Sequence, residues 1–228
     1  MKKIGLLLVA LLAYASVLPA HAAASAQYIE GTDYDVLEQP QATTVPAGKV
    51  EVMEVFSYAC PFCDKFQPVM HKLEHSLPRN AEIVFLPASF NPSEDWPMFQ
   101  RAYFTAQSLG IAKRTHQAVY DAVWKSGELA IEDQATNRLK NPLPSIQDVA
   151  RTYSHLTNVS EQAFITAAQS FGVETQMREA DAQIEAMQIP GTPCIVVGGK
   201  YRVNMESLKS PEDVIPLVKY LVAKATKH

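Results

Sequence analysis

Two cysteines stand three positions apart in the stretch SYACPFCDKF (57–66): Cys60 and Cys63, with Pro61 and Phe62 between them. Sulfur at this spacing serves three kinds of chemistry. It can form half of a metal clip, a structural disulfide, or a dithiol that exchanges electrons with other thiols. A zinc clip would have to draw on His71 and His75, which follow in H-x3-H spacing. The helical pattern between them argues against it. His71 lies eight positions beyond Cys63, about 12 Å along an axis that rises 1.5 Å per residue, whereas zinc ligands lie about 2.0–2.3 Å from the ion. The two histidines read as surface residues of a helix. A disulfide-stapled scaffold uses many cysteines in even number, and this chain of 228 residues has three. The pair is suited to electron exchange.

The elements around the pair support that reading. VEVMEVFSY (50–58) is dominated by Val, Phe and Tyr and reads as a buried strand running into Cys60. Pro61 suits the first turn of a helix, where its missing N–H is no loss. The helix continues through FCDKFQPVMHKLEHSL (62–77), with Phe66, Val69, Met70, Leu73 and Leu77 at helical spacing and Pro68 inside it as a kink. Cys60 therefore falls where unpaired backbone N–H groups and the helix dipole favour an anion. A thiolate is that anion, so Cys60 is expected to have a depressed pKa and to be the exposed nucleophile. Cys63, one turn inside, is the shielded partner that can attack Cys60 and resolve a mixed disulfide.

Further along, AEIVFLPAS (81–89) is a second strand, and YDVL (34–37), before the Pro- and Thr-rich loop 38–49, is a possible edge strand. From Asn91 to about Ile189 the sequence is Ala- and Gln-rich, with helices expected over 98–110, 115–125, 146–156, 160–171 and 174–188. Gly110, Gly127, the segment 141–145 and Gly172 are the turn signals between them, and Ser160 is an N-cap. Strand signals return in PCIVV (193–197), Gly198-Gly199 turns into KYRV (200–203), and a final amphipathic helix spans 210–225 from Ser210 and Pro211. The expected organisation is a leader at 1–22, one half of an α/β domain at 23–90, a helical insertion with its connecting helix at 91–189, and the other half at 190–228.

The leader reading rests on the opening MKKIGLLLVALLAYASVLPAHAAASA. Lys2 and Lys3 form a positive start, Ile4 to Leu18 is an apolar stretch shorter than the ~20 residues a spanning helix needs, and Ala20-His21-Ala22 is a small-x-small cleavage site. Cleavage after Ala22 places the protein outside the cytoplasm, in an oxidising compartment. It also removes two lysines from a chain whose formal charge is already −4. With no cluster of Lys and Arg, the mildly acidic composition argues against nucleic acid as a partner.

Three further features bear on chemistry. In IPGTPC (189–194), Thr192-Pro193 enters a strand, where a proline suits a cis peptide; base rates alone favour trans. Glu54 is a carboxylate in an apolar strand. If it is buried, its pKa rises and it can relay the proton of Cys63; the alternative is a strand residue whose carboxylate reaches solvent. Cys194, next to Pro193, reads as a small buried hydrophobe, with a regulatory thiol as the alternative.

Taken together, Glu54-Val-Phe-Ser-Tyr-Ala-Cys60-Pro61-Phe62-Cys63, the helical insertion, and Gly191-Thr192-Pro193 followed by Gly199-Lys200-Tyr201 resemble the DsbA family. These are periplasmic thiol–disulfide oxidoreductases. The resemblance covers essentially all of residues 23–228 and implies a thioredoxin fold with a large helical insertion between its two halves. It implies that Cys60 attacks, Cys63 resolves, Pro193 is the cis-proline beside them, and Thr192 presents backbone groups to an extended substrate. It matches Pro68 to the helix-kinking proline and Glu54 to the buried acid beneath the resolving cysteine; that acid's usual lysine neighbour is not identifiable. The implied activity is donation of a Cys60–Cys63 disulfide to reduced or unfolded exported polypeptides by a periplasmic monomer that a membrane-bound partner reoxidises. No cofactor or metal is implied. Two features depart from the best-known members: Pro-Phe stands where they have Pro-His, and Cys194 follows the cis-proline. A reductase or isomerase of the same fold and a non-catalytic periplasmic holdase are the rival readings, distinguished by the pair's redox state and by a double serine variant.

Overall fold

The computed structural model describes residues 28–133 and 135–226. The expected leader at 1–22 lies outside them. In chain order the elements are β1 (Tyr34–Val36), β2 (Val50–Phe56), α1 (Pro61–Ser76), β3 (Ala81–Pro87), α2 (Trp96–Ser108), α3 (Ala112–Trp124), β4 (Glu132–Asp133), β5 (Arg138–Leu139), α4 (Ile146–Leu156), α5 (Glu161–Ala168), α6 (Phe171–Ala186), β6 (Cys194–Val197), β7 (Tyr201–Val203) and α7 (Val214–Ala225). Five strands form one mixed sheet in the order β1-β7-β6-β2-β3. β2 runs parallel to β3 and antiparallel to β6, so the two halves of the domain meet at β2. This is the thioredoxin arrangement, with residues between β3 and β6 forming the insertion.

β2 is buried along its whole length because both faces of the sheet are covered. Val50 and Val52 belong to a core with Phe66 and Leu73 of α1 and Val214 and Leu217 of α7. Met53 and Val55 belong to a second core with Phe99 and Tyr103 of α2 and Tyr120 of α3. Leu73 is fully buried, and truncating such a residue to alanine costs about 2–5 kcal/mol. The β6–β7 turn has Gly198 and Gly199 both at positive φ (60° and 61°), as the glycine pair predicts. A Cβ on Gly199 would collide with the carbonyl of Gln41, so that position requires glycine.

Several boundaries differ from the sequence reading. The strand into Cys60 ends at Phe56 and leaves Ser57–Ala59 as a turn. α3 begins at Ala112, before Thr115, whose hydroxyl bonds back to the Ile111 carbonyl. Gly172 does not break a helix. The Ser170 hydroxyl accepts from Val173 N and starts α6 at Phe171, three residues earlier than expected, so Gly172 lies in its first turn. The insertion also carries the short β4–β5 ribbon between its helices. Ser160 caps α5 as expected, accepting from Ala163 N at 3.2 Å.

Candidate active site

Cys60 is the N-cap of α1, with extended backbone (φ −88°, ψ 115°) and its sulfur accepting from Cys63 N at 3.4 Å. Pro61 follows in the first helical turn. Both cysteines are free thiols here. The expectation of an exposed nucleophile is corrected: Cys60 is only 3% exposed. As an N-cap its side chain folds over the first turn of α1, and the loop before β6 covers it. The structure separates the two sulfurs electrostatically. The Cys60 thiol is lowered to about 6, chiefly because the Cys63 side chain bonds to it; burial opposes this, while the Thr192 side chain and the N–H groups of Cys63 and Phe62 add to it. Cys63, fully buried, is pushed well above the ordinary thiol value by burial, and then by Cys60 and Glu54.

The second half of the domain closes over the pair. The Thr192–Pro193 peptide is cis, and the Cys60 thiol donates to the Thr192 carbonyl at 3.4 Å. The Thr192 hydroxyl has no other partner among the described residues. When Cys60 becomes a thiolate it no longer donates to the carbonyl, and this hydroxyl is a donor at hand. Beside the loop, Gly191, Thr192, Pro193 and Cys194 line a cavity of about 340 Å³ together with Asp35 and Arg202. A second cis peptide, Asn141–Pro142, lies in the insertion.

Glu54 is 0% exposed, which settles one alternative: its carboxylate does not reach solvent. Its pKa is raised to about 8, by burial above all, against the hydrogen bond from Gln67. Gln67 Nε2 reaches both Glu54 Oε1 (3.4 Å) and the Cys63 carbonyl (3.5 Å), and Glu54 Oε2 has no partner among the described residues. Gln67 escaped the sequence reading. Its signal was present: it sits four residues after Cys63, beside Phe66 in the buried stripe of α1, where a polar side chain needs a partner.

Phe62 is 67% exposed and forms an apolar rim next to Cys60. Cys194 is buried in β6 opposite Val55, its thiol pushed up to about 12 by burial. His71 and His75 lie on the exposed side of α1. What results is a two-sulfur site with one stabilised thiolate, one protonated thiol, a protonatable acid beneath them, and an extended segment alongside.

No protein-family model matches the chain. It is 32% identical over 220 residues to the thiol:disulfide interchange protein DsbA of Pseudomonas aeruginosa, covering 96% of this chain and 95% of that protein. It is 31% identical over 207 residues to the DsbA of Azotobacter vinelandii, covering 91% and 86%. Among solved structures, it is similar to the oxidoreductase DsbA of Xylella fastidiosa (TM-score 0.76, 28% identity, 88% of this chain and 99% of that one). A point variant of the P. aeruginosa DsbA gives a TM-score of 0.75 at 30% identity, over 88% and 100%.

Proposed function

This chain belongs to the DsbA family of thiol:disulfide interchange proteins, and from that premise we propose that it is an exported oxidase that donates a Cys60–Cys63 disulfide to reduced polypeptides. The chain is an oxidoreductase of dithiols and disulfides; the direction, residues and partners are the proposal. Residues 23–90 and 190–228 are its two catalytic halves, 91–189 the insertion, and 1–22 a removed leader that directs it to the periplasm. No helix among the described residues is long and apolar enough to cross a membrane.

In the reaction, a substrate thiolate attacks the Cys60 sulfur of the oxidised pair. The substrate–Cys60 bond forms, the Cys60–Cys63 bond breaks, and Cys63 leaves with the electron pair and takes a proton, which Glu54 is placed to supply. A second substrate thiolate then attacks the substrate sulfur of the mixed disulfide. Cys60 leaves as its stabilised thiolate, and two electrons have passed from substrate to enzyme. A disulfide of a membrane-bound partner takes them back by the reverse sequence, in which Cys63 must lose its proton. The substrate segment lies extended along Thr192, whose backbone serves as an edge for strand addition.

The observation that carries this reading is the divergence of the two sulfurs. A thiol at about 6 instead of 9.0 makes the reduced form about tenfold more stable at pH 7. That stabilisation of the reduced form favours handing the disulfide on. Equilibration of the protein lacking residues 1–22 with glutathione tests it. A potential above that of the glutathione pool supports an oxidase; a potential well below it makes the protein a reductase.

A further inference from the structure

The insertion touches the turn that carries Cys60, and it does so twice through one residue. β2 ends with Phe56, whose carbonyl still accepts from Ala88 N at 2.7 Å; the chain then leaves the sheet. Ser57–Cys60 closes as a turn, with Cys60 N donating to the Ser57 carbonyl (3.1 Å) and Ala59 N to the Ser57 hydroxyl (3.2 Å). Tyr58, in the middle of this turn, is almost wholly buried. Its carbonyl lies beyond the sheet and accepts from Trp124 Nε1 at 2.8 Å. Its hydroxyl is 3.0 Å from His116 Nδ1. His116 and Trp124 both belong to α3, eight residues apart.

We propose that α3 holds the Cys60 turn in the register the thiol chemistry requires, with Trp124 and His116 acting as positioning residues through Tyr58. The proposal rests on the assignment of Cys60 as the reacting thiol. The turn governs both sulfurs. It sets Cys60 as N-cap over the N–H of Cys63, and it points the N–H of Ser57 at Cys63. A helix terminus stabilises a thiolate only within hydrogen-bond reach of its first N–H groups, so a small displacement of the turn removes that stabilisation. Left without Trp124, the buried Tyr58 carbonyl lacks a donor, and the turn can recover one only by moving.

His116 is suited to a fixed contact. It is buried, its ring tilted against Phe85 with centroids 4.2 Å apart, and burial lowers its pKa to about 3, so it stays neutral and makes the same bond throughout the physiological range. The other titratable groups around the Cys60 sulfur are Cys63, Glu54 and Tyr120.

Trp124→Phe keeps an aromatic ring, though a smaller one, and deletes the hydrogen bond. Thiolate absorbance of the reduced protein against pH is the readout, with glutathione equilibration and a melting curve beside it. The expected result is a Cys60 midpoint higher by about one pH unit and, at pH 7, an equilibrium constant about fivefold less oxidising. Tyr58→Phe, which keeps the carbonyl contact, is expected to give a smaller shift in the same direction, and decides the matter if Trp124→Phe does not fold. Trp96→Phe, the same change elsewhere in the insertion, is expected to leave the midpoint unmoved. A lowered melting temperature with midpoint and equilibrium constant both as in wild type would overturn the proposal and leave the contacts purely structural. A wild-type protein whose Cys60 titrates as an ordinary thiol would instead overturn the assignment of Cys60, and this inference with it.

Discussion

The sulfur of Cys60 and the carbonyl oxygen of Thr192 lie 3.4 Å apart across 132 positions of sequence. The contact joins the two halves of the domain at the point where β2 and β6 deliver their ends side by side, with the helical insertion looped out between them. In the proposed reaction a substrate chain extended along residue 192 would bring its own sulfur to Cys60, while the fully buried Cys63 stays behind.

Cys60→Ser is expected to reduce oxidation of a dithiol peptide to background, because the proposed reaction runs through the sulfur at the helix terminus. Cys63→Ser is expected to leave the protein covalently joined to disulfide-bearing partners, since no second sulfur can resolve the bond. Non-reducing electrophoresis after mixing with such a partner separates the two. Identical behaviour of the two variants would overturn the division of roles.

Glu54→Gln makes a prediction with a sign. The folded protein holds the Glu54 proton up to about pH 8, whereas the unfolded chain releases it near the ordinary value of 4.5. The native state thus binds more protons between these values, and stability declines with rising pH by about 1.4 kcal/mol per unit from this group. The variant lacks that decline. Its gain over wild type in urea unfolding should be near zero below pH 4.5 and grow up to about pH 8. Reoxidation, in which Cys63 must give up its proton, should slow in the same variant. A gain independent of pH would show that the acid titrates normally.

How much of this was legible in the sequence depended on range. The sulfurs, Pro193 and the Gly198-Gly199 turn announce themselves in dipeptides and tetrapeptides, because their chemistry is local. Glu54 was legible as an acid in an apolar strand, though not its burial, which depends on α1 covering that face. The low exposure of Cys60 was not legible, since the cover comes from the loop at Thr192. Gln67 reads as any helix glutamine until Phe66, Val69 and Leu73 show which side is inside. Trp124 and His116 carry no signal: their partner, Tyr58, is 66 and 58 positions away.

Cys194→Ala is expected to retain activity near wild type and to cost roughly 1 kcal/mol of stability, as a small buried group does. Its thiol is buried and held far above neutral pH, so it is a poor nucleophile. Rapid alkylation of Cys194 in the folded protein, or its recovery in a disulfide with Cys60, would contradict this.

Phe62 offers the sharpest test of what sets the oxidising power. It is exposed and one residue from Cys60, and among the groups that lower the Cys60 thiol its backbone N–H appears, while its ring supplies neither a donor nor a charge. The thiolate therefore depends on the helix terminus, Cys63 and Thr192. A histidine at this position adds an N–H donor and, when protonated, a positive charge beside the sulfur. Phe62→His should lower the Cys60 midpoint below about 6 and favour the reduced form, making the protein a stronger oxidant. Each ~1.4 kcal/mol of that stabilisation raises the potential by about 30 mV. Because residue 62 faces solvent, the stability of the oxidised form should hardly change, so the whole effect belongs to the reduced state. Glutathione equilibration and thiolate absorbance against pH measure the two quantities independently. They should move together; a lower midpoint with an unchanged potential would mean that the oxidised form, not the thiolate, sets the poise of this pair.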